Sequence, residues 1–239
     1  MSPLAFHVMG DADDTQSAML YQADIASKRR VLLVLAHGAG AGHAHPWMVR
    51  YARGLADRGL DVVTFNFPYK EAGRSAPDRA PVLEDAFRRV IASAIAHRHV
   101  DAERLFIGGK SMGGRMATHL ASAPDLWPAS APSLDGVVVF GYPLNPPGGS
   151  KRSADRVSHL ARITVPTLIV QGTRDTFGGP DSIREAVKAH AARAPIEVHG
   201  IDGGDHSLSV RKSAQDQVDA GIWDEVVGWM QAGSASVAS

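Results

Sequence analysis

The sequence predicts an α/β fold, a mostly parallel sheet of about eight strands with helices on both faces and no sizeable lid domain. Three observations predict it. Short apolar runs alternate with longer stretches whose apolar residues recur at helical spacing, the pattern of a sheet covered on both sides. One of those runs, Arg104-Leu105-Phe106-Ile107-Gly108, passes through a Gly-rich turn straight into a helix-like stretch. Several polar and glycine-rich turns fall just after apolar runs, at the strand ends where open α/β sheets bind their ligands.

The elements follow in order. Residues 4–8 and 18–22 read as two short strands, and Val31-Leu32-Leu33-Val34-Leu35 as a buried one over 31–35. A helix over 46–58 starts after His45 and is closed by Gly59, and a strand covers 61–66. The helix predicted over 81–97 carries Leu83, Ala86, Phe87, Val90, Ile91, Ala94 and Ile95 on one side and Glu84, Arg88 and Arg89 on the other, so it covers a sheet. Strands at 104–108, 136–140, 166–171 and 195–199 alternate with helices at 112–124, 181–193 and 215–231. About two dozen residues separate the strands at 136–140 and 166–171. They are rich in Pro, Gly and charge and leave room for one short helix near 153–161, so the pocket should be open to solvent. Residues 1–231 are expected to form a single domain and 232–239 a frayed tail.

Composition sets consistent bounds. A formal net charge of +0 gives no chain-wide basic field, which argues against nucleic acid or anionic membrane as the main partner. The absence of cysteine excludes disulfides, thiolate metal sites and a cysteine nucleophile. The N-terminal stretch lacks the basic start and continuous apolar core of a signal peptide, and no apolar run is long enough to span a bilayer. The expectation is a cytoplasmic protein; its oligomeric state is not legible.

The chemistry centres on Gly109-Lys110-Ser111-Met112-Gly113. A strained strand-to-helix corner lifts the serine hydroxyl clear of the sheet, and glycines leave room for so tight a turn. A serine hydroxyl is a poor nucleophile at neutral pH and needs a histidine base, itself oriented by a carboxylate. Both occur downstream. The buried-strand run Val165–Gly172 leads directly to Asp175, and the loop Asp202-Gly203-Gly204-Asp205-His206 supplies the base. The order Ser111, Asp175, His206 is that of α/β-hydrolases. Asp181, Asp202 and Asp205 are alternative acids; Asp175 is preferred because only it directly follows a buried strand. The turn His37-Gly38-Ala39-Gly40, after the strand at 31–35, would build an oxyanion hole from the Ala39 amide together with the Met112 amide. A phosphate-binding reading of Gly109-Lys110-Ser111 fails because Arg104 stands where that motif needs glycine.

The predicted substrate pocket draws on His37, Gly38, Trp47, Phe67, Tyr69, Tyr142, Phe177 and Leu208, whose apolar area favours short to medium acyl esters over highly charged ones. His37 more readily orders its turn, and His45 starts a helix, than either joins His43 as a metal ligand. Lys110 and Arg115 flank the nucleophile and a carboxylate-bearing substrate could use either, but helix geometry leaves their direction open, and no role is assigned to them or to Arg74. No cofactor or metal is required.

The stretches His37–Gly42 with His45-Pro46-Trp47-Met48, Phe65–Tyr69 with Gly73-Arg74 and Pro77–Pro81, and Gly109–Arg115 resemble the small lidless α/β-hydrolases. That group includes bacterial predicted hydrolases, the eukaryotic testis-expressed member and the third subunit of the non-specific-lethal chromatin complex, and the likeness spans nearly residues 15–231. The resemblance implies the α/β-hydrolase fold and Ser111, Asp175 and His206 as a catalytic triad, without implying a substrate. Related dienelactone hydrolases place cysteine at the elbow, where this chain has Ser111. The reading is therefore a serine carboxylesterase acting on a small-molecule ester. The alternatives are a silent scaffold on the same fold, against which the intact Ser-Asp-His set argues, and a thioesterase or amidase using the same triad.

Overall fold

The computed structural model describes residues 2–10, 15–146, 156–190 and 192–232. Eight strands form one sheet: β1 (Leu4–Met9), β2 (Thr15–Tyr21), β3 (Val31–Ala36), β4 (Leu60–Phe65), β5 (Arg104–Lys110), β6 (Gly136–Phe140), β7 (Thr167–Gly172) and β8 (Ile196–Ile201). Their spatial order is β1-β2-β4-β3-β5-β6-β7-β8. β2 runs antiparallel to both its neighbours and every pairing from β4 to β8 is parallel.

Six α-helices accompany the sheet among the described residues: α1 (Pro46–Ala56), α2 (Pro68–Glu71), α3 (Ala80–Ile95), α4 (Met112–Ala121), α5 (Pro180–Ala189) and α6 (Gln215–Ala232). The four-residue α2 has no counterpart in the sequence prediction. The predicted helix at 112–124 ends at Ala121 and is followed by a 3-10 turn, Pro124–Leu126, because a proline ring cannot continue the α-helical hydrogen-bond ladder. Near 153–161 the described part contains a 3-10 segment, Ser158–Arg162; residues 153–155 of that prediction, and 233–239 of the predicted tail, lie outside the described residues.

Continuous apolar strands are what a sheet buried on both faces requires, since successive side chains point to opposite sides. Leu32 and Val34 of β3 enter a core with Phe65, Phe87, Val90, Ile107, Leu120 and Val139, under α3 and α4. Leu33 and Leu35 enter the opposite core with Tyr51, Leu55, Phe140, Val170, Ile222 and Val226, under α1 and α6. Each fully buried Leu, Ile, Val or Phe contributes on the order of 1.5–3 kcal/mol, so the central strands are the most firmly held part of the chain.

Register then places the chemistry. Ala36 pairs with Gly109 and Lys110 with Phe140, so β3, β5 and β6 end side by side. Gly141 donates its N–H to Val170 O (2.8 Å) and Thr173 donates to Ile201 O (2.9 Å), which brings the ends of β7 and β8 to the same edge.

Candidate active site

The turn from β5 into α4 is possible only with small residues around Ser111. A Cβ on Gly109 would lie 2.5 Å from the Gly113 carbonyl carbon and 2.7 Å from Ala36 O, and one on Gly114 would lie 2.5 Å from a Val139 methyl. Ser111 has φ 52° and ψ −115°, a conformation L-residues rarely adopt. It is held by its own N–H donating to Phe140 O (2.9 Å) and its carbonyl accepting from Arg115 N (3.0 Å). Local strain of this kind persists when the surroundings over-determine it and is found at functional sites.

The strained corner aims the side chain at His206. Ser111 Oγ lies 2.8 Å from His206 Nε2, and His206 Nδ1 lies 2.8 Å from Asp175 Oδ2. With Asp175 ionised, Nδ1 carries the proton and Nε2 is left to accept from the serine. Asp175 is only 6 % exposed. Its Oδ2 also accepts from Gln171 Nε2 (2.7 Å) and its Oδ1 from Phe177 N (2.8 Å), so its charge is met by donors as well as by the imidazole. The alternative acid Asp205 is spent on its own loop, accepting from Ser207 N (2.7 Å) and Ser209 N (2.9 Å).

His206 is positioned as tightly as Ser111. Trp47 Nε1 donates to Ser207 O (3.0 Å), and the indole stacks on Tyr51 at 3.8 Å between centroids. Gly141, at φ 68°, lies against the His206 backbone; a Cβ there would come within 2.6 Å of His206 O. The Phe177 ring covers the imidazole, with centroids 4.4 Å apart.

Opposite Ser111 is the turn after β3. The His37 ring is fully buried and bridges two turns, with Nδ1 donating to Gly38 O (2.8 Å) and Nε2 accepting from Phe67 N (3.1 Å). Burial pushes its pKa down to about 4, which keeps it neutral and fixes that tautomer. Gly38 passes directly beside Ser111: a Cβ on it would lie 3.5 Å from Ser111 Cβ. Met112 is the first residue of α4, where N–H groups have no acceptor within the helix.

A cavity of about 580 Å³ opens over this arrangement. Ser111, His206, Met112, Gly38, Ala39 and Phe177 all line it. The other expected pocket residues do not. Phe67, Tyr69, Tyr142 and Leu208 are completely buried, and His37 and Trp47 nearly or fully so. Position after a strand placed them at the correct edge, but their rings turn inward: Phe67 packs against Phe65 and Phe87, and the Tyr142 hydroxyl donates to Arg156 O (2.5 Å). Leu208, at φ 60°, enters the core beneath α1 and α6. Trp47 and His37 position the loops that carry the site.

The cavity wall instead includes Lys110, Arg115 and Arg156, with His45, Met48 and Pro143. Lys110 and Arg115, whose direction the sequence left open, both reach this wall. Arg74 is paired with Asp78 (2.7 Å), away from the cavity. His45 caps α1, its Nδ1 accepting from Trp47 N (3.2 Å). Gln171 was also missed, although a glutamine closing an otherwise apolar strand, four residues before the acid, is a readable sign of a buried polar partner.

An eight-stranded sheet with this crossover order, a serine on a strained strand-to-helix corner and an acid and a base after later strands define an α/β-hydrolase architecture. The chain belongs to the alpha/beta hydrolase domain family, whose pattern matches residues 29–232. Among solved structures, a lidless α/β serine hydrolase of Xanthomonas campestris aligns at a TM-score of 0.68 and 16% identity, over 98% of this chain and 94% of that one. The dienelactone hydrolase of Anabaena variabilis gives 0.67 and 15%, over 93% and 95%. The esterase domain of a Rhodothermus marinus protein gives 0.65 and 17%, over 96% and 98%. At these identities the likeness is one of fold.

Proposed function

We propose that this protein is a serine carboxylesterase, and that Ser111, His206 and Asp175 are its nucleophile, base and orienting acid. It falls within the small lidless group its motifs resemble and acts on a small-molecule ester. The observation that carries the reading is the unbroken pair of 2.8 Å hydrogen bonds from Ser111 through His206 to Asp175, at the floor of a solvent-open cavity.

The chemistry follows from the geometry. His206 Nε2 takes the hydroxyl proton as Ser111 Oγ forms a bond to the ester carbonyl carbon, and Asp175 stabilises the imidazolium. The carbonyl oxygen, now an oxyanion, accepts from the amides of Met112 and Ala39. Collapse breaks the bond to the alcohol, which leaves with the proton held by His206. Water then attacks the acyl-enzyme, giving its proton to His206, and the acid departs as the proton returns to Ser111.

Covalent labelling by a fluorophosphonate, with the adduct mapped by mass spectrometry, tests this directly. Wild type is expected to label at Ser111, while Ser111→Ala and His206→Ala do not. Folded wild type that fails to label would replace the enzyme reading with that of a silent scaffold.

A further inference from the structure

Among the described residues, three cations line the cavity and no carboxylate does. Lys110 precedes the nucleophile, Arg115 follows it by one helical turn, and Arg156 faces them from the chain leading into the Ser158–Arg162 turn. Lys110 Nζ lies over the Trp47 ring at 5.7 Å, while among the described residues neither Arg115 nor Arg156 pairs with a carboxylate. Arg115 sits in the first turn of α4, where the helix dipole disfavours a cation, and no acidic residue is present in that turn. Its Nε is buried with no hydrogen-bond partner. Arg156 is anchored as though for presentation: its backbone carbonyl accepts from the buried Tyr142 hydroxyl and its Nη1 donates to Pro143 O (3.2 Å). Burial first, and then the charge of nearby Arg115, pulls the Arg156 pKa down. The carboxylates whose charge reaches Lys110 are committed elsewhere, Asp175 to His206 and Asp205 to the amides of its own loop.

Such an arrangement is costly until an anion enters, and guanidinium forks match carboxylate and phosphate oxygens. We infer that Arg115 and Arg156, with Lys110 beside the nucleophile, form an anion-recognition subsite, and that the substrate is an ester carrying a carboxylate or phosphate group close to its scissile carbonyl. The inference deepens the esterase reading and rests on it for the position of the scissile bond. Arg115 N donates to Ser111 O (3.0 Å) and both residues line the same cavity, so a chain of a few carbons spans from one to the other. A hemi-ester of a short dicarboxylic acid has that length.

The test compares p-nitrophenyl butyrate with the mono-p-nitrophenyl ester of glutaric acid, corrected for the spontaneous hydrolysis of each. It is run on wild type, R115Q, R156Q and the surface control R193Q, beside fluorophosphonate labelling and calorimetric titration with glutarate and with inorganic phosphate. Wild type is expected to favour the anionic ester in kcat/KM by roughly tenfold to a hundredfold, the effect of one or two hydrogen bonds to a charged group. R115Q and R156Q are expected to lose at least tenfold of that ratio, mostly through KM, and R193Q to keep it. The titrations separate carboxylate from phosphate as the preferred anion. Hydrolysis and labelling without anionic preference, or a preference that survives both substitutions, would overturn the subsite and leave the esterase. Absent labelling with Arg115-dependent anion binding would remove the esterase and keep the subsite, and absence of both would remove each.

Discussion

Gln171 controls more of the candidate site than its distance from the nucleophile suggests. Its amide donates to Asp175 Oδ2, to Gly178 O (2.6 Å) and to Tyr142 O (3.3 Å), while its Oε1 accepts from Tyr142 N (2.7 Å). One side chain therefore ties the acid to the loops after β6 and β7. Gln171→Leu keeps the volume but leaves Asp175 short of a donor and two backbone groups unpaired in a dry interior. A buried polar group left unpaired costs about 1–3 kcal/mol, and more when charged. Urea denaturation of Gln171→Leu is expected to show at least that loss, and esterase kcat to fall roughly tenfold to a hundredfold as His206 loses its fixed orientation. Ser111→Ala provides the contrast, lowering kcat by on the order of a millionfold while leaving the unfolding midpoint within experimental error or slightly raised, because the strained corner remains and only the hydroxyl is gone. An unchanged kcat in Gln171→Leu would show that the imidazole alone holds Asp175 in place.

Elements transmit this positioning through α1 and α6. Tyr51 of α1 donates to Asp219 of α6 (3.1 Å), Gln215 Nε2 donates to the same oxygen (3.0 Å), and Arg50 Nε lies 3.2 Å from the other. Asp219 is fully buried, so the two hydrogen bonds and the nearby Arg50 cation are what hold it inside. Asp219→Ala leaves the buried Tyr51 hydroxyl unpaired while the released Arg50 is partly exposed, so it is expected to cost about 1–3 kcal/mol, read as a lower urea midpoint at constant slope. Because α1 also carries Trp47, which holds the His206 loop, the same change should lower activity in proportion to the loosening of that loop. A variant as stable as wild type would show that the Tyr51 packing alone secures the two helices. This pairing was not legible in the sequence, since Tyr51 and Asp219 are 168 residues apart and a helix pattern gives the buried face but not its partner. What periodicity did reveal was local: β3 and β6 are apolar throughout, and β5 and β7 through their centres, because both faces are covered, and α3 shows its core stripe because the other side meets water. The short helix α2 and the inward turn of Phe67 and Tyr69 escaped it, because the same aromatic residues after a strand can cap a core or line a cleft.

At the scale of the whole molecule, two neutral histidines bind the fold to a pH window. His37 joins the turns after β3 and β4, and His159, 6 % exposed, lies 2.9 Å from Thr118 Oγ1 and packs edge-on against His119 at 4.2 Å. Burial lowers the His37 pKa to about 4, and burial followed by the charges of His119, Arg115, Arg162 and His190 lowers that of His159 to about 3. In the unfolded chain both titrate near 6.5, so between that value and the folded one the unfolded state binds more protons and stability rises with pH. Their contribution is complete above about pH 7 and is lost as pH falls through 6 and 5 toward the folded values. Each histidine can remove up to about 2 kcal/mol between pH 7 and pH 5. Urea midpoints measured across that interval are expected to fall with decreasing pH in wild type. His159→Gln retains a neutral partner for Thr118, so it should reduce the slope by roughly half whatever its effect at pH 7. A pH dependence equal in the variant and wild type would move its source to other groups. The site and the fold share this dependence, because the turn that His37 orders supplies Gly38 and Ala39 to the wall facing Ser111. Protonating His37 would break its bond with Phe67 N and loosen that wall. Activity on a neutral ester is therefore expected to fall irreversibly in acid only where the urea midpoint shows the fold itself giving way.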